Sequence, residues 1–151
     1  MEIREIMTRD PEACLPTDSC AAAGQIMERR KCGFVPVVES HDTKRVVGVL
    51  TDRDLALYLA RGTDPANLVP VGLVMTKDVK TASPDTELEQ AAQIMEDAAI
   101  HRLPVVENGR LVGVLALKDI ALRARKQWAT AGPNVAERQM TEIIEAIAAA
   151  R

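Results

Sequence analysis

Apolar residues in the middle of the chain follow a helical period. From Leu88 to Ala99 they recur at every third or fourth position, which places them on one face of an α-helix. Thr86 and Glu89 stand at the spacing of a capping box just ahead of this face. The pattern therefore predicts a helix that is capped by Thr86.

After this helix the pattern changes to that of β-strands. Two short β-branched runs, at 103–106 and 111–115, flank Asn108-Gly109, the strongest short signal for a tight hairpin. The second run leads into a helix that begins near Asp119, where a carboxylate is favoured by the helix N-terminus. The block as a whole predicts a helix, a hairpin and a second helix.

The same block occurs twice in the chain. Its first matches are 68 positions apart, and after the hairpin turn the spacing falls to 65, so the first copy carries three extra residues in one loop. The matched segments are Met7-Thr8 with Met75-Thr76, 25–28 with 93–96, 36–39 with 104–107, 47–50 with 112–115, and 54–57 with 119–122. Such self-similarity predicts two copies of one supersecondary unit.

The first copy repeats the elements with different ends. Asp18 stands where it would cap the first helix, which is expected to end near Cys32-Gly33. The inserted residues lie in the turn around His41-Asp42, and His41 is assigned no role. The remaining elements are strands at 35–38 and 46–50 and a helix that starts near Asp54.

With a short strand ahead of its first helix, each copy has the order strand, helix, strand, strand, helix. One copy alone exposes an apolar sheet face, so the two copies are expected to pack about a pseudo-twofold axis. The predicted fold class is α+β, with two β-α-β-β-α repeats and a C-terminal helix. The predicted divisions are a first repeat at 1–60, a linker at 61–71, a second repeat at 72–128 and an extension at 129–151.

Composition excludes several classes of function. With a formal net charge of -3 and no basic run longer than Arg29-Arg30-Lys31, the chain lacks the positive field that binds nucleic acid. No apolar stretch approaches the roughly 20 residues that span a bilayer, and the start lacks a signal peptide's apolar region, so no membrane association and a cytoplasmic location are expected. Cys14, Cys20 and Cys32 lack disulfide or zinc spacing and are expected to be structural thiols.

Catalytic signals are missing from the sequence. No Ser/His/Asp or Cys/His set is suggested, no P-loop motif is present, and the two histidines lack metal-ligand spacing. We therefore expect no enzymatic activity, no metal site and no required cofactor.

The order of elements, the repeat length and the motifs resemble the CBS domain, named for cystathionine β-synthase, and especially the tandem pair called a Bateman module. The resemblance covers about residues 3 to 125 and rests on several coinciding segments. These are Met-Thr at each start, Gly-Phe-Val-Pro-Val-Val and His-Arg-Leu-Pro-Val-Val at the hairpin strands, and Val-Gly-Val-Leu-Thr-Asp-Arg-Asp-Leu. It implies a homodimeric regulatory module that binds adenosine derivatives in clefts between paired repeats.

The resemblance also implies a first ligand pocket. A Thr-x-x-Asp motif ending at Asp54 would bind the ribose, the backbone near Ala82 would bind the adenine edge, and Arg102 would contact phosphate. Carboxylates accept hydroxyl hydrogen bonds and a guanidinium suits phosphate, so the residue types agree. The implied pocket comprises Thr51, Arg53, Asp54, Lys80, Thr81, Ala82, Ile100, His101, Arg102, Leu103 and Pro104.

A second implied pocket departs from the family pattern. Ala116 stands in place of the hydroxyl residue, and Gly33-Phe34 stands in place of His-Arg. Weaker binding, an uncharged ligand or an empty pocket is therefore expected. This pocket comprises Ala13, Cys14, Gly33, Phe34, Val35, Pro36, Lys118 and Asp119.

Structural roles are open to the same residues. Asp54 and Asp119 could serve only as helix caps, Arg102 could pair with Glu107, and His101 could be an ordinary surface or core histidine. These readings stand beside ligand binding until the contacts are known.

The last segment predicts an amphipathic helix from Val135 to Arg151. Four apolar residues line one face of it, namely Met140, Ile143, Ile144 and Ile147. Packing on its own domain and contact with a dimer mate or partner are equally open.

The favoured function is a regulatory module that binds an adenine nucleotide, AMP, ADP or ATP, and signals to an unidentified partner in trans. The alternative class is a ligand-free dimerisation scaffold. S-adenosylmethionine or a dinucleotide are alternative ligands, because all of these compounds share the ribose and adenine contacts.

Overall fold

The computed structural model describes residues 1–131 and 135–150. The strands are β1 (Thr8–Arg9), β2 (Phe34–Val38), β3 (Val46–Thr51), β4 (Arg102–Glu107) and β5 (Arg110–Ala116). The helices are α1 (Cys20–Arg30), α2 (Asp52–Arg61), α3 (Leu88–Asp97), α4 (Leu117–Ala131) and α5 (Val135–Ala149). This order confirms the predicted α+β class and both helix–hairpin–helix blocks.

The chain divides into two compact units. The first-repeat unit comprises Pro11–Val79 and Asn108–Leu111, and the second-repeat unit comprises Met1–Asp10, Lys80–Glu107 and Val112–Arg151. These divisions differ from the repeat boundaries in the sequence. The reason is that the short segment ahead of each repeat's first helix pairs with the hairpin of the other repeat.

Backbone pairing at Thr8 and Thr76 defines this exchange. In the second-repeat unit Thr8 lies opposite Val114 in an antiparallel β1–β5 pair, and β5 also pairs with β4. In the first-repeat unit Thr76 and Val49 exchange two backbone hydrogen bonds, of 2.9 and 3.0 Å, beside the antiparallel β2–β3 pair. Equivalent residues therefore make equivalent pairs in both units.

The hairpin turns follow the sequence signals. Asn108 and Gly109 both adopt left-handed backbone angles, with φ of 50° and 77°, as a tight two-residue turn requires. The longer turn of the first copy instead places Lys44 in the left-handed region, with φ of 50°. The three extra residues thus change the shape of the turn and leave the paired strands intact.

The predicted helix caps at Asp18 and Thr86 are wrong. Ser19 caps α1 by accepting a 3.0 Å hydrogen bond from the Ala22 N–H, and α3 starts after Glu87 without a side-chain cap. Asp18 accepts the Leu15 N–H at 2.8 Å, and Thr86 accepts the Ser83 N–H at 3.0 Å. Both side chains therefore close a turn that precedes the helix, so they cannot also cap the helix itself.

Each unit has its own aliphatic core. Cys14, Val35 and Leu50 are fully buried in the first-repeat unit, and Ile3 and Leu103 are fully buried in the second-repeat unit. Burial raises the pKa of the Cys14 thiol to about 12, so this cysteine stays protonated at physiological pH. It behaves as the structural thiol that the sequence predicts.

Helix α5 packs on its own unit. Met140 and Ile147 are 3% and 1% exposed and belong to the core of the second-repeat unit, with Ile143 and Ile144 packed against it. Of the two readings of this helix, the described residues support packing on its own domain.

Candidate functional site

The start of helix α4 lies beside the start of strand β4 in the second-repeat unit. The Leu117 N–H donates a 3.0 Å hydrogen bond to the His101 carbonyl. This bond brings His101 and Arg102 next to the first turn of α4, where Asp119 stands.

Asp119 is a half-buried carboxylate in this group. Its Oδ2 accepts the Ala116 N–H at 2.9 Å, so the residue caps the helix. Burial raises the pKa of Asp119, and the Ala116 hydrogen bond and the positive charges of Lys118 and Arg102 oppose that rise without cancelling it. Asp119 therefore caps the helix, and its carboxylate also lies close to the guanidinium of Arg102.

The raised pKa of Asp119 makes stability depend on pH in a defined direction. The folded state binds this proton more tightly than the unfolded chain, whose value is near 3.8. The stabilisation that protonated Asp119 gives the folded state is therefore fully present below the pKa of the unfolded chain, and it is lost as pH rises through the pKa of the folded state. Asp119→Asn keeps an acceptor for the Ala116 N–H and removes the titration.

We expect Asp119→Asn to gain stability relative to the unsubstituted chain as pH rises from about 4 to about 7. Urea unfolding at several pH values measures this difference. Glu96→Gln is the control because Glu96 is an exposed carboxylate of the same unit with no ion pair among the described residues. A difference between Asp119→Asn and the unsubstituted chain that is constant with pH would contradict the prediction.

His101 carries an unsatisfied polar atom. Its Nε2 is buried and has no hydrogen-bond partner among the residues that the structure describes. A buried polar atom without a partner costs free energy, and native structures contain few of them. This nitrogen is therefore a candidate for a bond that a ligand would supply.

The first-repeat unit contains the corresponding helix start with different chemistry. Thr51 Oγ1 accepts the Asp54 N–H at 3.1 Å, and Asp54 Oδ2 accepts the Thr51 N–H at 3.0 Å, which is a complete capping box at the start of α2. The Asp52 N–H bonds the Gly33 carbonyl at 3.0 Å. A Cβ at Gly33 would collide with the Asp52 carboxylate, so a larger residue here would require the Asp52 side chain to move.

The units thus group the site residues by repeat. His101 and Arg102 share a unit with Asp119, whereas Thr51 and Asp54 share a unit with Gly33 and Phe34. The pairing of Asp54 with His101 and Arg102, which the family resemblance implied, joins residues of different units and stays a prediction.

The predicted adenine-edge residues are partly occupied by sheet bonds. The Ala82 N–H donates to the Pro104 carbonyl at 3.1 Å, and the Ala82 carbonyl accepts the Val106 N–H at 2.8 Å. Cys14 makes the same two bonds, at 3.0 and 2.9 Å, with Pro36 and Val38. The neighbouring residues Thr81 and Ala13 are the remaining backbone candidates, since alternate residues of a strand face opposite sides.

The other predicted site residues fall into two groups. Four have buried side chains that serve the cores, namely Val35, Pro36, Leu103 and Pro104, and Ile100 packs against the second core. Three are exposed cations, namely Arg53, Lys80 and Lys118. The buried group can offer a ligand only backbone atoms.

Two cavities lie at equivalent places in the units, and the sequence analysis did not anticipate them. In the second-repeat unit a cavity of about 680 Å³ is lined by Thr81, Ala82 and α3. In the first-repeat unit a cavity of about 490 Å³ is lined by Ala13, α1, His41 and Lys44. The three-residue insertion is the sequence feature that could have indicated the cavity of the first-repeat unit, because the inserted loop carries His41 and Lys44.

The described parts of the chain contain neither a metal-binding cluster nor a membrane-spanning helix. Over residues 1–131 and 135–150, no group of three or more His, Cys, Asp or Glu side chains is placed to hold a metal ion. Within the same ranges no helix has the length and apolar character needed to cross a bilayer.

Comparison with known proteins identifies related sequences. The sequence profile of the CBS domain matches residues 3–61 and 71–125. The CBS domain-containing protein YhcV of Bacillus subtilis (strain 168) is 36% identical over 121 residues, which cover 80% of this chain and 83% of that protein. An inosine-5'-monophosphate dehydrogenase of Staphylococcus epidermidis is 35% identical over 112 residues, which cover 74% of this chain but 22% of the enzyme.

Solved structures with the same fold hold adenosine compounds. The CBS domain pair of protein MJ0100, in complex with 5'-methylthioadenosine and S-adenosyl-L-methionine, has a TM-score of 0.74 and 26% identity, and the match covers 84% of this chain and 98% of that one. CBSX2 in complex with AMP has a TM-score of 0.67 and 26% identity, with 85% and 98% covered. Paired CBS domains are regulatory ligand-binding modules.

Proposed function

We propose that this chain, which belongs to the CBS domain family, binds an adenine nucleotide and signals its presence to a partner protein in trans. The observation that carries the proposal is the association of Asp119, Arg102 and His101 at the start of α4. These three side chains have the chemistry that a ribose phosphate needs.

The carboxylate of Asp119 suits the ribose. Only its Oδ2 is recorded as an acceptor among the described residues, in the bond from the Ala116 N–H. Two neighbouring hydroxyl groups could donate to the remaining acceptor positions of the carboxylate. Such donors would also compensate the burial that raises the pKa of this group.

Arg102, His101 and the first turn of α4 suit the phosphate. A guanidinium binds phosphate oxygens through two parallel hydrogen bonds, and a helix N-terminus adds partial positive charge. The unsatisfied Nε2 of His101 could donate a hydrogen bond to a phosphate oxygen. Phosphate would therefore satisfy the His101 Nε2, which has no partner among the described residues.

The corresponding group at α2 suits a different ligand. Asp54 and Thr51 offer ribose contacts, but the position equivalent to Arg102 is Phe34, and Asp52 lies against Gly33. With Phe34 in place of an arginine and with Arg53 as its only sequence-adjacent cation, this half-site favours an adenosine compound that lacks phosphate. The structures with S-adenosyl-L-methionine and with AMP support the common adenosine class for both groups.

Homodimer formation is the second part of the proposal. Leu57 on α2 and Leu122 on α4 occupy equivalent positions, 65 residues apart, and are 44% and 54% exposed. Exposed apolar side chains that recur in both repeats suit a self-complementary interface, in which each copy buries the same surface of its mate. A ligand that changes the shape of such a pair could change its affinity for a partner.

Titration calorimetry with AMP, ADP, ATP and S-adenosylmethionine tests the proposal on the intact chain. Asp119→Ala and Asp54→Ala are matched variants, because each removes the same capping bond at equivalent helices. We expect AMP to lose at least about tenfold in affinity with Asp119→Ala or Arg102→Gln, since bonds to charged groups are strong. Asp54→Ala should leave AMP binding within about twofold, and light scattering during the titration reports the oligomer.

Two other results of the calorimetry would change the proposal. Loss of AMP binding in Asp54→Ala with retention in Asp119→Ala would restore the pairing implied by the family resemblance. Absence of binding for all four compounds at about 10 mM, more than enough to fill a site of millimolar affinity, would favour the ligand-free dimerisation scaffold.

A further inference from the structure

We propose that the first-repeat unit contains a separate site for a small anion with a flat apolar body, in the cavity between α1 and the inserted turn at 39–45. The cavity measures about 490 Å³, within the usual range of small-molecule sites. The ligand class is an aromatic or similarly flat compound that carries a phosphate ester or a carboxylate.

The floor of this cavity is apolar. Ala22 and Ile26 come from one face of α1, Val38 comes from the end of β2, and Leu111 comes from the tip of the other hairpin. Val38 and Leu111 are 0% and 4% exposed, so the apolar surface that a ligand can reach comes mainly from the half-buried Ala22 and Ile26. A flat apolar group is the complement of such a surface.

The rim carries basic side chains, of which the Lys44 ammonium has no ion pair within the described part of the chain. Lys44, His41 and Arg29 line the cavity, and neither Lys44 nor His41 has an ion pair recorded within the described part of the chain. The cavity's two carboxylates are already engaged. Glu12 binds both Arg29 and Arg30, and Asp18 accepts the Leu15 N–H. An anion would therefore meet donors at this rim before it met an exposed carboxylate.

The turn that carries Lys44 is held in place. The Lys44 N–H bonds the Ser40 carbonyl and the Leu111 N–H bonds the Lys44 carbonyl, both at 2.9 Å. Arg45 binds both carboxylate oxygens of Glu39, each at 2.9 Å. Because the backbone of this turn is held beforehand, binding here costs less backbone entropy than binding to a loose loop would.

The second repeat provides an internal comparison. Its equivalent cavity of about 680 Å³ has the same position relative to α3 but lacks the inserted turn. Asp97 stands there in place of Arg29, and no lysine, arginine or histidine of the described residues lines it. The cationic rim therefore comes from the insertion and from one charge reversal, and not from the shared fold.

The test uses phenyl phosphate, benzoate and phenol as probes on the intact chain, followed by amide chemical shifts in two-dimensional NMR. We expect phenyl phosphate and benzoate to shift the amides of Lys44, Ala22 and Ile26, and phenol to shift them much less. Lys44→Gln should weaken the anionic probes about tenfold. His41→Gln is a second variant, which keeps the test open if Lys44→Gln does not fold.

Lys31→Gln is the matched control. Lys31 also has a left-handed backbone, with φ of 51° against 50° for Lys44, and it is exposed at the end of α1 outside the cavity. The Lys31→Gln variant should bind the probes with the same affinity as the unsubstituted chain. Equal losses in Lys31→Gln and Lys44→Gln would reduce the effect to general surface charge and overturn the proposal.

Asp119→Ala separates this site from the proposed nucleotide site. Unchanged probe binding in Asp119→Ala supports an independent site, whether or not AMP binds. Loss of the probe shifts in that variant would make the cavity part of the nucleotide site, and absence of shifts up to about 10 mM, a concentration that fills a site of millimolar affinity, would reject a site of this kind. Preference for phenyl phosphate over benzoate, or the reverse, identifies which anionic group the rim selects.

Discussion

Gly113→Ala is expected to lower the free energy of unfolding by about 1–3 kcal/mol, the usual cost of an overpacked contact. A Cβ at this position would lie 2.6 Å from the Met7 sulphur and 3.0 Å from the Thr8 carbonyl oxygen. The methionine could move, but the carbonyl belongs to the strand that pairs with β5. The substitution therefore forces β1 away from the sheet.

Two other glycines provide the controls for this prediction. Gly48→Ala places its Cβ 2.6 Å from the Met75 sulphur and 3.0 Å from the Thr76 carbonyl oxygen, so an effect of the same size is expected in the other unit. Gly24→Ala in α1 has nothing within 4 Å and replaces glycine in a helix, so it should be neutral or stabilising. Urea unfolding followed by circular dichroism measures all three, and a Gly113→Ala value equal to that of Gly24→Ala would contradict the proposed contact.

These glycines also show which parts of the fold could be predicted from the sequence. Met7 with Gly113 and Met75 with Gly48 are matched by the internal repeat, and the repeat correctly predicted the order of helices and strands. The sequence did not predict that Met7 would meet Gly113 of the other repeat. A two-residue strand has too few side chains to specify its partner by pattern alone, so only the observed pairing reveals the exchange.

The candidate residues were predictable from the sequence, but one of their contacts was not. Residue type and position in the motif pointed to Asp54, Asp119 and Arg102 as candidates. The approach of Asp119 to Arg102 accompanies the bond from the Leu117 N–H to the His101 carbonyl, which is a tertiary contact that local pattern does not specify. The capping errors have a similar origin, because Asp18 and Thr86 could each close a turn or cap a helix, and local sequence did not distinguish the two.

The C-terminal helix yields the other prediction with a large expected effect. Ile147→Ala should lower the free energy of unfolding by about 2–4 kcal/mol, because it empties a fully packed position. Ile147 is 1% exposed and lies in the same core as Leu88 and Met95. Chemical denaturation measures the loss, with the chain at two concentrations.

The size and the concentration dependence of this loss distinguish packing on the unit from contact with a second copy. Glu145→Ala is the control on the same helix, since Glu145 is exposed and its removal should change stability by less than about 0.5 kcal/mol. A loss in Ile147→Ala that is equal at both concentrations belongs to the unit's own core. A loss that shrinks on dilution would place Ile147 in an interface between copies, because the stabilisation that association supplies falls as the concentration falls. The burial of Met140 beside the same core favours the first result. On that reading α5 completes the core of the second-repeat unit.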